Sequence, residues 1–389
     1  MIFILSIITR QVLTLKTACL LFLMIISSMH AADQWVYFGG YTGGISQGIY
    51  VSRMGAGGKL APPQLAAAIT NPSFLAIDSR HRFLYAVSEI AASGKKAGNV
   101  LAYAIDNKTG QLTKLNEQLA GGETLCHIQT DATDKMVMVA SYGGGSIAAL
   151  PIKADGSLGA VSSFIQHHGS SVNPRNQTSP HAHQVVTSPD NQFAFVCDLG
   201  LDAVLTYRLD HKNFTFGSNA IATTKLTPGM GPRHLAFHPN GKFAFVINEM
   251  GCRITAFTYD AKTGTLAEIQ SLTTLPAGRI ADDSFSGAEI MVHPSGKFLY
   301  GSTRGLNLMN VYSVAATSGQ LTHLEDISSG GKTPRYFNLD PAGQFLLAAN
   351  QNSDNVTVFK IDQASGRLTP TGESLHLGNP SCVVFAPVK

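Results

Sequence analysis

Residues 232–249, "PRHLAFHPNGKFAFVINE", read as a strand, a tight turn at Pro239-Asn240-Gly241, and a second strand. The hairpin carries Arg233, His234 and Glu249 at its ends, and its text recurs. "PSFLAIDSRHRFLYAVSE" begins at Pro72 and "PRYFNLDPAGQFLLAANQ" at Pro334. Anchored on FAFV at Phe243, equivalent second strands start at Phe83, Met136, Phe193, Phe298 and Phe345, spaced 47 to 57 residues apart. Each is preceded by an apolar stretch and followed by a third strand such as NVLAYAID, RITAFTYD or NVTVFKID. A turn of the type Thr109-Gly110-Gln111-Leu112 often comes next, with counterparts at Thr263, Ser318 and Ser365.

Four short strands in a unit of about 45–55 residues define a propeller blade. The chain after residue 32 opens on "WVYFGGYT", a second strand lacking its first, and closes on "NPSCVVFAP", a first strand lacking its second. Six whole blades and one built from both termini are therefore expected. The fold is all-β, a seven-bladed β-propeller of four antiparallel strands per blade, with residues 33–389 as one domain.

Residues 1–32 differ. They hold Arg10 and Lys16 but no acid, then the apolar run "ACLLFLMIIS" and the exit "SMHAAD". This is the pattern of a signal peptide cleaved near Ala32, giving a periplasmic or secreted protein. Ten apolar residues are too few to span a bilayer. The remaining 357 residues have a near-neutral balance and no basic run, which argues against nucleic acid or an anionic membrane as partner. Cys126, Cys197, Cys252 and Cys382 lack Cys-x-x-Cys spacing and read as buried thiols.

In an antiparallel hairpin the start of the first strand and the end of the second share one end. Around a propeller these positions gather at one mouth of the central channel. The register brings Ser73, Cys126, His183, Arg233, Ala288, Arg335 and Ser381 there from first strands. From second strands it brings Tyr41, Glu89, Tyr142, Leu199, Glu249, Arg304 and Gln351. A His, three Arg and two Glu at one mouth point to chemistry, although a wet channel mouth also tolerates polar residues that only bind water. His181 and His183 lie two apart on one face of a strand, after a loop containing His167 and His168. No carboxylate or Cys completes a recognisable ligand set, so neither metal nor cofactor is expected. His238 and His293 sit beside turns at the opposite end and read as structural. The runs "FGGYTGG" and "SYGGGS" open no helix, which removes a phosphate-loop reading.

The segments "SPHAHQVVTSPDNQFAFVCD", "GPRHLAFHPNGKFAFVINEM" and "TPRYFNLDPAGQFLLAANQ" resemble the seven-bladed lactonase family. That family includes propeller-type 6-phosphogluconolactonases and carboxy-cis,cis-muconate cyclases. The resemblance extends over nearly everything after residue 32. It implies hydrolysis of a sugar-derived or carboxylated lactone bearing phosphate or carboxylate, with His183, Arg233, Glu249 and Arg304 as catalytic residues. His181, Arg335, Glu89 and Asn350 are expected to contact substrate. Glu249 and His183 would share the acid and base roles, in an order the sequence leaves open. Alternatives are a lactone-forming cyclase using the same site, a metal-dependent propeller lactonase and a non-enzymatic exported binding propeller. An export leader departs from the cytoplasmic setting of a phosphogluconolactonase.

Overall fold

The computed structural model describes residues 33–90 and 98–389; the expected leader lies outside the described residues. Seven sheets stand around one axis, each with four sequential antiparallel positions. We number the blades along the chain. Blades 1 to 6 have inner strands Leu75–Ile77, Leu125–Thr130, Ala182–Thr187, Pro232–Phe237, Ser286–Val292 and Pro334–Leu339. Blade 7 joins the termini: Pro380–Pro387 is its inner strand and pairs with Gln34–Gly40, from Gln34↔Pro387 to Gly40↔Pro380. The split blade expected from the terminal strands is therefore present, and it leaves no unpaired edge where the ring closes. Blade 3 differs only at its rim, where Thr215–Phe216 and Ala222–Lys225 both pair with Ala203–Asp210 in place of one outer strand.

The second strands carry the core. Phe243–Asn248 is buried at every position, as are Met136–Ser141, Phe193–Asp198 and Phe345–Asn350. Their near-continuous apolar text follows from burial on both faces between neighbouring blades. The outer strand Thr265–Thr273, with one face in solvent, is mostly polar and half exposed.

The two repeated sequence features explain one another. Gly319 has φ +71°, and a Cβ there would lie 2.5 Å from the Phe243 ring of the preceding blade. Gly366 stands in the same relation to Phe298. In these two turns the glycine thus supplies both the left-handed backbone and the space for the neighbour's anchoring phenylalanine, whereas Gly110 makes room for Trp35.

Candidate functional site

The mouth is built by a device absent from a simple alternation of strand residues. In six of the seven blades the pairing of inner and second strands slips by a residue or more at the mouth end. The slips fall between Leu125/His127, Ala182/Gln184, Pro232/His234, Gly287/Ile290 and Pro334/Tyr336, and in blade 7 beside Ser381. The residues caught in them are Cys126, His183, Arg233, Ala288 with Glu289, Arg335 and Ser381; all but Glu289 are positions that the repeat register assigns to this end. A β-bulge bends its strand and re-aims its side chains, and bulges favour sheet ends and active sites.

Blades 3, 4 and 5 contribute one charged cluster. Glu249 Oε2 lies 3.0 Å from Arg233 Nε, 3.0 Å from Arg304 Nη2 and 3.9 Å from His183 Nε2. All three contacts fall on Oε2, which leaves Oε1 available to a water or substrate. Blade 5 holds the guanidinium groups from behind: Arg233 Nη1 donates to Ala288 O, and Arg304 Nη2 donates to Gly287 O at 3.0 Å. A side chain at Gly287 would strike Asn248 O at 2.7 Å, so glycine is what lets blade 5 approach blade 4 this closely.

Burial alone would raise the Glu249 carboxyl, but Arg304, Arg233 and Arg335 outweigh it and hold its pKa below the ordinary value. Glu249 is thus a carboxylate at neutral pH. Burial, reinforced by Arg233, pushes His183 well below the usual imidazole range, so it is neutral. The same two influences, burial and the neighbouring arginines, lower Arg233 to about 10, and it remains charged.

On the other flank, Arg335 Nη2 donates to Tyr41 Oη at 3.0 Å, and the Tyr41 hydroxyl donates to Glu89 Oε2 at 2.8 Å. Glu89 and Arg335 thus meet through a tyrosine. His181 stacks on Tyr142 with ring centroids 4.5 Å apart and places Nδ1 2.8 Å from the Tyr142 carbonyl. The edge of Tyr142 in turn approaches His183 at 5.6 Å.

Asn350 is not brought to the mouth. Its side chain is fully buried and donates to Ser329 O and Thr357 Oγ1, bracing blade 6. Asn248 does the same in blade 4, bonding Arg253 O and Thr255 Oγ1. The expectation for Asn350 fails because alternation turns this position toward the third strand.

The histidine-rich loop divides its residues. His167 is buried, with Nδ1 2.7 Å from Asp198 Oδ2. The other oxygen of Asp198 accepts the His181 and Leu201 amides at 2.8 and 3.2 Å. Asp198 thereby ties the loop to the strand that presents His183. His168 is exposed. Among the described residues no group of His, Cys, Asp and Glu is arranged to hold a metal ion.

Above Glu249 is a cleft of about 500 Å³, bordered by Asn173 and Arg175 on one side and Asp282, Asp283 and Phe285 on the other. An Arg175–Asp283 ion pair joins its walls. That volume suits a small polar ligand.

A family description, the lactonase, 7-bladed β-propeller family, matches residues 35–385. The chain belongs to this family. Within it, the chain is 36% identical to the 6-phosphogluconolactonase of Bacillus subtilis over 351 residues, 90% of this chain and 97% of that one. It is 32% identical to a 6-phosphogluconolactonase of Formosa agariphila, covering 81% and 88%. Among solved structures, the periplasmic gluconolactonase of Pseudomonas aeruginosa superposes with a TM-score of 0.86 at 33% identity, covering 92% of this chain and all of that one.

Two buried groups below the mouth escape a reading by repeat register. His234 and Glu289 lie immediately beneath the mouth, both buried, with His234 Nδ1 2.9 Å from Glu289 Oε2. Strict alternation sends neighbours such as Arg233 and His234 to opposite faces, whereas the bulge directs both toward the axis. A slipped register was the signal needed, and residue types alone do not announce one.

Proposed function

We propose that the chain is an exported lactonase that hydrolyses an uncharged or singly charged sugar lactone at the mouth formed by Glu249, Arg233, Arg304 and His183. The observation carrying this reading is the carboxylate held by two guanidinium groups, with a neutral imidazole beside it and a cleft above. Lactone hydrolysis needs an activated water, a stabilised oxyanion and protonation of the ring oxygen that leaves. Arg233 and Arg304 supply forked donors for the oxyanion. As the substrate carbonyl engages them, Glu249 loses compensating charge and becomes more basic. It takes a proton from water as the new C–O bond forms, and returns it to the ring oxygen as the old bond breaks. His183 contacts that leaving oxygen. The acid product then ionises, releasing one proton to solvent. Arg335 and His181 orient the sugar, with Glu89 acting through Tyr41.

Charge supports a substrate without phosphate. Three arginines face two glutamates around the mouth, and each arginine already has an acidic or phenolic partner. The rim adds Arg175 against Asp282 and Asp283. A phosphate dianion generally recruits several unshared donors, whereas a neutral lactone giving a monoanionic product suits this balance. The leader pattern in residues 1–32 supports export. The test is proton release by the purified protein on glucono-1,5-lactone and on 6-phosphogluconolactone. At least 10-fold higher kcat/KM on the unphosphorylated lactone is expected. A preference for the phosphorylated compound would overturn this substrate assignment, and turnover of neither would overturn the activity.

A further inference from the structure

Below the mouth the channel is lined by rings. His183 and His234 pack edge to face with centroids 5.1 Å apart, His234 and His127 at 5.5 Å, and His127 packs on Phe74 at 4.4 Å. Glu289 hydrogen-bonds one of these rings, His234, and the arrangement gives it influence over His183. We propose that Glu289 and His234 are positioning residues that fix the tautomer of His183, so that its Nε2–H points into the substrate site. The inference rests on the lactonase reading and specifies the tautomer with which His183 meets the leaving oxygen.

The contacts set the order of the chain. Glu289 Oε1 accepts the Ile290 amide at 3.0 Å, leaving Oε2 to face His234 Nδ1. Glu289 is 2% exposed and His234 1% exposed. Burial raises the Glu289 carboxyl to about 8, although Arg233 pulls the other way. Burial and Arg233 keep His234 neutral. The other titratable groups around Glu289 are Tyr336 of blade 6 and Cys382 of blade 7, both with pKa values raised by burial and therefore uncharged. A neutral acid beside a neutral imidazole shares one proton in one direction, from Oε2–H to Nδ1. The proton of His234 is then on Nε2.

That nitrogen has no hydrogen-bond partner within the protein, and neither has Nδ1 of His183 or Nδ1 of His127. Buried ring nitrogens left unpaired are costly, and a donor facing an acceptor across adjacent rings resolves two of them, directly or through one water. In the proposed chain the Nε2–H of His234 serves the lone pair of His183 Nδ1, directly or through one water, across rings whose centroids are 5.1 Å apart. The proton of His183 is therefore on Nε2, the atom 3.9 Å from Glu249 Oε2. A neutral N–H there hydrogen-bonds the leaving ring oxygen and needs no charged intermediate, while Glu249 carries the proton that is transferred.

Loss of the Glu289 proton reverses the chain. An ionised Oε2 draws the proton of His234 to Nδ1, His234 Nε2 becomes an acceptor, and His183 turns its lone pair on Glu249. Activity should thus fall as pH rises through about 8. Glu289→Gln tests this directly, because an amide N–H donates the same bond and cannot ionise. It should keep kcat within about 3-fold at pH 7 and lose the alkaline decline. Glu289→Met, which fills the volume without a donor, should lower kcat about 10- to 100-fold with little change in KM. Nitrogen-15 spectra of labelled histidine, with the His183 signal assigned through His183→Gln, should show the Nε2–H form in the wild-type protein and its loss in Glu289→Met. These spectra do not depend on turnover, so a protein inactive on lactones would refute the function and leave the tautomer measurable. Should Glu289→Met fail to fold, the pH profile of Glu289→Gln decides alone. A glutamine variant that keeps the alkaline decline, or a wild-type His183 protonated on Nδ1, would overturn the proposal.

Discussion

The two ends of the repeated hairpin treat equivalent positions in opposite ways. At the turn end, Asp78, Asp131, Ser188 and Asp340 recur at one position, and each accepts the two backbone N–H groups that open the second strand. The pairs are Arg82 and Phe83, Lys135 and Met136, Gln192 and Phe193, and Gln344 and Phe345, at 2.6–3.1 Å. His238 and His293 fill that position in blades 4 and 5. Each accepts a turn amide on Nδ1 at 3.1 Å and donates from Nε2 to a carbonyl of the next blade, Gly296 or Gly343, at 2.8 Å. At the mouth end the corresponding residues are serine, cysteine, histidine, arginine and alanine, and charges are gathered around one carboxylate. Where the copies all bond the backbone of their own turn, the residues serve the fold. Where the copies diverge and leave polar atoms unpaired is where we propose that substrate binds.

This contrast breaks if mouth and turn variants behave alike. The largest effect is expected at the mouth. Arg233→Ala should reduce kcat/KM on a sugar lactone by about 100-fold or more, the scale of a lost oxyanion donor. At the turn end, Asp131→Ala should leave kcat within about 2-fold but strip the amides of Lys135 and Met136, the second of them buried, of their acceptor. A cost of about 1–3 kcal/mol, seen as a melting temperature lower by several degrees, is expected. Between the two lies Tyr41→Phe, which disconnects Arg335 from Glu89. A rise in KM of about 3- to 10-fold with little change in kcat is expected from steady-state kinetics, as befits lost orientation of substrate.

A further effect sharpens the boundary just below the mouth. Glu289 has a folded-state pKa raised to about 8 by burial. Its stabilising contribution is therefore complete below the ordinary carboxyl value and is lost as pH rises through about 8, because the unfolded chain releases the proton first. Denaturant unfolding should show wild-type stability declining across this range by on the order of a few kcal/mol. Glu289→Gln should remove most of that decline.

Much of this was legible in the sequence, for reasons that differ along the hairpin. The second strands could be read because burial on both faces demands continuous apolar text, as in Phe243–Asn248. The split blade could be read because its terminal strands were each missing a partner. The mouth register located His183, Arg233, Glu249, Arg304 and Arg335 because antiparallel pairing relates their positions by simple geometry. The bulges could not be read, since the slip at Pro232/His234 is a property of backbone pairing that Arg and His do not dictate. With them went His234 and Glu289. Asn350 was misplaced for the converse reason: it lies one residue from a mouth position, and one residue in a strand is the difference between the axis and the interior of a blade.

The most direct test of the mouth as the centre of chemistry is pH-stat hydrolysis of glucono-1,5-lactone by Glu249→Gln beside the wild-type protein, with folding checked by circular dichroism. Glutamine keeps the size of the side chain but takes away the carboxylate that accepts the proton of water. A folded variant whose kcat is lower by about 100-fold or more is the predicted result. A folded variant with wild-type turnover would contradict the account.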